Sequence, residues 1–178
     1  TFAMSEALTI ILKRNDPTSA AKQVSLTELG SIKINKEERT KMYKTIPRSS
    51  VIGFLIGVLP GAGATIASFL AYGMERNVVS DEEKEKFGKG SVNGLSAPET
   101  ANNAACSGSF VPMLTLGIPG SGTTAVMLGA LLGFGVQPGP RLYMTNPEIF
   151  WSIIMSMYIG MVILLILNLP LIPYIARI

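Results

Sequence analysis

Two stretches of this chain combine residue types that can hold a ligand without any catalytic side chain. Pro60-Gly61-Ala62-Gly63-Ala64-Thr65 and Pro119-Gly120-Ser121-Gly122-Thr123-Thr124 share the pattern P-G-x-G-x-T, and each interrupts an apolar run. Such a break ends one helical piece and starts another, whose N-terminus presents unpaired N–H groups and the positive end of the helix dipole. Glycine lets a ligand approach the backbone, and Thr or Ser adds a hydroxyl donor. An anion, most simply a carboxylate, fits that combination. The candidates are Gly61, Gly63 and Thr65 in the first break, and Gly120, Ser121, Gly122, Thr123 and Thr124 in the second. Carbonyls closing the preceding half-helices, around Leu59 and around Leu116 to Ile118, suit a cation. The competing reading is that the glycines only permit close helix packing in lipid.

A second constellation is Glu99, Asn102 and Asn103, whose spacings of three and four put them on one helical face. Side-chain amides offer carbonyl oxygens to Na⁺ and N–H donors to a carboxylate, so both asparagines are candidates for substrate and for a coupling ion. Glu99 is a third candidate for the coupling ion, and its competing role is to cap its own helix from a start at Ser96. Other chemistries are excluded by type. No His is present, which removes Ser-His-Asp and Cys-His catalysis, and the single Cys106 removes an internal disulfide or a Cys-cluster metal site. Cys106 itself reads as a small packing residue. No enzyme, cofactor or bound metal is expected, Na⁺ as a coupling ion apart. Lys and Arg are mixed with Asp and Glu at a net charge of +3, so no basic face for nucleic acid emerges.

The elements that must position these residues follow from the charge distribution. Residues 1–48 hold 14 charged side chains and residues 75–99 hold 10, leaving only Arg141, Glu148 and Arg177. The runs 49–74, 100–140 and 149–176 therefore carry none. Soluble helices and strands alternate buried and wet faces, so such runs point to a membrane. The expected fold is an all-α integral membrane fragment of a polytopic protein, with two Gly/Pro-broken or re-entrant segments and one plain transmembrane helix. Its parts are a cytoplasmic-side linker with short amphipathic helices (1–48), a broken segment (49–74), a polar loop (75–96), a second broken segment (97–136) and a crossing helix (149–169).

Within the linker, residues 2–13 read as a helix end and 15–34 as a loop. Asn35 and Glu38 form a capping box for a short helix over 36–46, basic and amphipathic, which lies at the cytoplasmic interface or serves as a solvated linker. Ser80 and Glu83 repeat the capping signature before a small solvated helix over 80–89, braced by Glu82/Lys86 and Glu85/Lys89. Pro112 should kink the helix that carries the asparagines. The run 49–74 allows either a crossing helix broken at its centre or a re-entrant hairpin with the glycines at its tip. Lys and Arg on both flanks favour the hairpin, because cytoplasmic loops are enriched in them.

The stretches GVLPGAGATIASFLAYG and APETANNAACSGSFVPMLTLGIPGSGTTAVMLGALLGFGVQPGP resemble the large permease subunit of tripartite tricarboxylate transporters, over about residues 49–178. The resemblance implies a bacterial inner-membrane, multi-pass subunit working with a small membrane subunit and a periplasmic solute-binding protein. It implies import of di- or tricarboxylates such as citrate, driven by a Na⁺ or H⁺ gradient. The family's motif positions fall on Pro60, Gly61 and Gly63, on Pro98, Glu99, Asn102 and Asn103, and on Pro119 to Ser121. The alternative function is a passive ion channel or a membrane scaffold, with the glycines as filter or packing seam.

Overall fold

The computed structural model describes residues 34–175, as helices joined by turns. The helix end expected over 2–13 and the loop over 15–34 lie outside the described residues. In chain order the helices are α1 (Lys36–Val58), α2 (Gly63–Val78), α3 (Asp81–Lys84), α4 (Val92–Gly108), α5 (Phe110–Leu116), α6 (Gly122–Gly133), α7 (Leu142–Thr145) and α8 (Pro147–Ile175). The all-α class is the one the sequence predicts.

Helix α1 begins at the expected capping box: the Asn35 side chain accepts from Lys36 N at 2.6 Å, and Glu38 accepts from Asn35 N at 2.8 Å. It does not stop at residue 46. It continues through Pro47 to Val58. Proline removes one intrahelical hydrogen bond, but Thr45 and Ser49 on either side of it are fully buried, and this packing holds the helix together across the gap.

Every fourth residue of α1 is buried: Thr45, Ser49, Gly53 and Gly57. Helix α4 answers with Asn93, Ala97, Ala101 and Ala105, and α2 with Ala67, Ala71 and Glu75. Thr45 meets Asn93, Gly53 meets Ala101 and Gly57 meets Ala105, so α1 and α4 run parallel in one register. A Cβ on Gly53 or Gly57 would lie 2.6 Å from the Cα of Ala101 or Ala105 respectively, inside van der Waals contact. Only glycine permits this approach, which maximises dispersion contact between backbones. Helix α2 runs the other way. Its Glu75 reaches Thr45, while Ser68 bonds the Pro98 carbonyl at 3.2 Å. The chain reverses at Leu59–Ala62, where Ala62 N bonds Leu59 O at 3.2 Å and Gly61 takes a φ of +79°.

The polar loop is built differently from its sequence signature. Ser80 makes no side-chain cap, because Glu83 turns inward to accept from Lys41 at 3.1 Å and from Ser91 at 3.0 Å. The expected Glu82–Lys86 pair forms at 3.5 Å, but Glu83 is buried, so this is not simply a solvated face. Ser91 also caps α4, accepting from Gly94 N at 3.1 Å. Helix α4 therefore starts at Val92, and Ser96, Pro98 and Glu99 lie within its body. Glu99 caps nothing, which corrects that expectation.

Pro112 acts as expected. Helix α4 ends at Gly108, four residues before it, where the proline ring would clash with a helical carbonyl. Helix α5 ends on Gly117, with φ +70° and a Cβ position 2.8 Å from the Pro138 carbonyl oxygen, so the Gln137–Pro140 turn seats directly on it. Met113, Leu114, Val136 and Leu142 form a second small core with the first turns of α8. Helix α8 is apolar and long enough to cross a membrane over Pro147–Ile172, with its side chains largely exposed. It passes through Pro170 rather than ending there.

Candidate functional site

The second P-G-x-G-x-T break packs against the end of the helix that leads into the first. A Cβ on Gly120 would lie 2.9 Å from Ser109 Cβ and 3.3 Å from the Gly57 carbonyl oxygen. The second break thus sits on the joint between α4 and α5 and on the last turn of α1, one turn before the α1–α2 reversal.

The glycines divide into two groups. Gly53, Gly57, Gly108 and Gly120 are packing glycines with backbone or Cβ atoms pressed against them. Gly61 and Gly63 are not: their Cβ positions are open, and their φ angles are +79° and +69°. They serve the backbone turn that opens α2, which begins on Ala62 without any side-chain cap. Thr65 is exposed in the first turn of that helix.

At the second break the hydroxyls are committed to the chain. Ser121 N donates to Thr124 Oγ1 at 2.8 Å, and Thr124 N donates to Ser121 Oγ at 3.3 Å, closing a reciprocal cap on α6. Thr124 is buried, whereas Gly122 and Thr123 are exposed at the helix start. Ser121 and Thr124 therefore shape the N-terminus, and Gly122 and Thr123 present it.

Glu99, Asn102 and Asn103 are all exposed on α4. Asn102 reaches Ser68 on α2 at 3.4 Å, while Asn103 bonds the Glu99 carbonyl of its own helix at 2.9 Å. The face predicted from spacing exists, and it looks outward from the α1–α2–α4 core. Cys106 is exposed as well, so it is not the packing residue expected.

Sequence reasoning missed the most concentrated polar group. Glu75 is fully buried, and its Oε1 accepts from Arg48 at 2.7 Å, Thr45 at 2.8 Å and Asn93 at 3.2 Å. Asn93 also donates to Thr45 Oγ1 at 2.8 Å. One turn further out on α1, Lys41 holds Glu83. Burial pushes the Glu83 carboxyl up, but hydrogen bonds from Lys41 and Ser91 and the nearby lysine charges outweigh it and hold it below the ordinary range. Lys41 is raised in turn, first by its bond to Glu83 and then by Glu37. The signal in the sequence was the fourfold stripe that ends in Thr45, Glu75 and Asn93, each a polar residue continuing a line of Gly and Ala.

The family model described as "Tripartite tricarboxylate transporter TctA family" matches residues 1–178. The chain is 40% identical over 159 residues to an uncharacterized 52.8 kDa protein in the TAR-I ttuC' 3' region of Agrobacterium vitis, covering 89% of this chain and 31% of that protein. It is 48% identical over 120 residues to an uncharacterized protein in the TAR-II ttuC' 3' region of the same organism, covering 67% of this chain and 49% of that one. The chain thus spans between about a third and a half of these relatives. No solved structure matches it significantly. With the uncharged runs and the exposed apolar α8, these matches identify a membrane protein, and the chain belongs to the tripartite tricarboxylate transporter TctA family.

Proposed function

We propose that this chain forms part of the membrane permease subunit of a secondary transporter. The transporter imports di- or tricarboxylates of the citrate class, taking substrate from a periplasmic binding protein and driven by a Na⁺ or H⁺ gradient. It sits in the bacterial inner membrane as a multi-pass protein beside a small membrane subunit. The observation that carries this reading is the packing of Gly120, in the second break, on Gly57, three residues before the first. The apolar arms on either side of the first reversal, 49–58 and 63–74, are each about 15–18 Å long at helical rise. That is about half of a ~30 Å hydrocarbon core, which sets the Pro60-Gly61 tip near mid-depth. Irregular backbone at that depth must line a cavity or be buried in protein. The starts of α2 (Gly61, Gly63, Thr65) and α6 (Gly122, Thr123, shaped by Gly120, Ser121 and Thr124) then hold carboxylates. Asn102 and Asn103 contact substrate or the coupling ion, with Glu99 beside them.

Uptake into proteoliposomes tests the reading. Accumulation against a gradient, lost when Na⁺ and H⁺ gradients are collapsed, supports a transporter. Downhill flux alone would assign a channel, and no flux of any carboxylate a scaffold. Topology is tested in a Cys106→Ser background with Tyr43→Cys and Asn77→Cys, both exposed positions near the open end of the hairpin. Labelling from the same side supports the re-entrant arrangement, and labelling from opposite sides overturns it.

A further inference from the structure

The Glu75 carboxyl is unevenly served. All of its donors converge on Oε1, from Thr45, Arg48 and Asn93, while Oε2 is buried with no partner among the described residues. The same holds for Asn93 Oδ1, Ser49 Oγ, Ser96 Oγ and Arg48 Nε. Ser49 lies one turn along α1 from Thr45, and Ser96 one turn along α4 from Asn93, and these helices run parallel. Two orphaned oxygens, Glu75 Oε2 and Asn93 Oδ1, thus belong to the knot itself, and two orphaned serine hydroxyls lie one turn from its members. Buried polar atoms without partners are rare and call for an occupant. Glu75 Oε2 and Asn93 Oδ1 can only accept, and the serine hydroxyls can accept as well as donate, so these oxygens suit a hard cation, while Arg48 Nε, an N–H donor, stands outside the set. One carboxylate, already facing a guanidinium, matches a monovalent ion and is too little negative charge for a divalent one.

We propose that Glu75 Oε2, Asn93 Oδ1 and Ser49 Oγ, with Ser96 Oγ beside them, bind one Na⁺, and that Arg48 is its competitor. A buried carboxylate balances one positive charge. In the structure that charge is Arg48, at 2.7 Å from Oε1, with a side chain 37% exposed and so able to withdraw into water. Na⁺ at Oε2 repels the guanidinium across a few ångströms of low-dielectric protein, where such repulsion is strong. Binding of the ion thus loosens Arg48 from Glu75 and frees a cationic side chain for an anion. As a coupling device the site rests on the transport reading. As a binding site it does not.

The test is thermal unfolding of the detergent-purified protein in NaCl against choline chloride at equal ionic strength. The wild type is expected to gain roughly 3–6 °C in Na⁺ at tenfold its dissociation constant. Arg48→Gln removes the competitor, so its Na⁺ gain is larger and half-saturates at lower Na⁺. Ser49→Ala, which leaves every charge in place, needs about tenfold more Na⁺, and Glu75→Gln gains nothing. Should Glu75→Gln fail to fold, the Arg48→Gln and Ser49→Ala comparison decides alone. A purely structural ion pair predicts that Arg48→Gln loses stability equally in both salts, and that result overturns the site. So does a Ser49→Ala response equal to wild type, or a gain produced by lowering pH in place of Na⁺. Uptake separates the two readings. A Na⁺-dependent shift without any transport sinks the transport reading and leaves the site, whereas Na⁺-independent accumulation with no shift does the reverse.

Discussion

The sharpest prediction concerns the smallest perturbation, one methyl group at Gly53. Its Cβ would stand 2.6 Å from Ala101 Cα and 2.8 Å from Ala101 C, all rigid backbone. Ordinary contact begins near 3.4 Å, so α1 and α4 must part by close to an ångström for the methyl to fit. An ångström of radial gap forfeits up to half of each dispersion contact along the seam, and inserted methylenes in well-packed interiors cost about 1–3 kcal/mol. Gly53→Ala should therefore lower the unfolding midpoint by roughly 2–12 °C. The same substitution at Gly73, which lies in α2 with nothing within 4 Å of its Cβ position, meets no obstacle. There alanine contributes its helix propensity, about 0.8–1 kcal/mol, and the midpoint should rise. Gly53→Ala with Gly57→Ala should cost less than the sum of the two, because the first methyl already separates the helices for the second. The assay is thermal unfolding in detergent followed by size-exclusion recovery. If Gly53→Ala and Gly73→Ala shift the midpoint in the same direction, the close-approach seam is not what holds α1 to α4.

Thr45→Val removes the hydroxyl that donates to Glu75 and accepts from Asn93, leaving both underserved, and should destabilise by about 1–3 kcal/mol in chemical or thermal unfolding. Because the folded-state pKa of Glu83 is lowered from an ordinary 4.5, its contribution to stability is present above that value and lost as pH falls through the folded one. Lys41→Met removes the largest lowering influence, so its acid unfolding should begin at higher pH than that of the wild type. Asn103→Ala should abolish carboxylate uptake with expression and unfolding midpoint intact, since Asn103 bonds only its own helix; unchanged uptake would remove it from the proposed site. Gly120→Ala should impair both folding and uptake, as its methyl would press Ser109 and the Gly57 carbonyl, and normal uptake would show that transport does not depend on the second break seating on α1.

What could be read in the sequence was whatever depends on local chemistry. Uncharged runs told of a membrane because soluble helices and strands alternate buried and wet faces. The Asn35–Glu38 box, the Pro112 kink and the two Pro-Gly interruptions were legible because each is fixed by backbone bonds a few residues long. The single face shared by Glu99, Asn102 and Asn103 followed from helical spacing alone. Misreadings arose where a distant partner outweighed a local signature. Ser80 lost its cap because Glu83 found Lys41, Ser96 lost its start because Ser91 was held by Glu83, and Pro47 failed to end α1 because Thr45 and Ser49 were locked on either side of it. Sequence by itself settled that this chain lives in lipid and interrupts its helices at two places. Only tertiary structure decided that Gly120 of the second interruption seats on Gly57 at the end of α1, and that Arg48, Glu75 and Asn93 from three helices share one buried knot, because helix pairing across tens of residues is set by which small faces can approach, not by anything either segment carries alone.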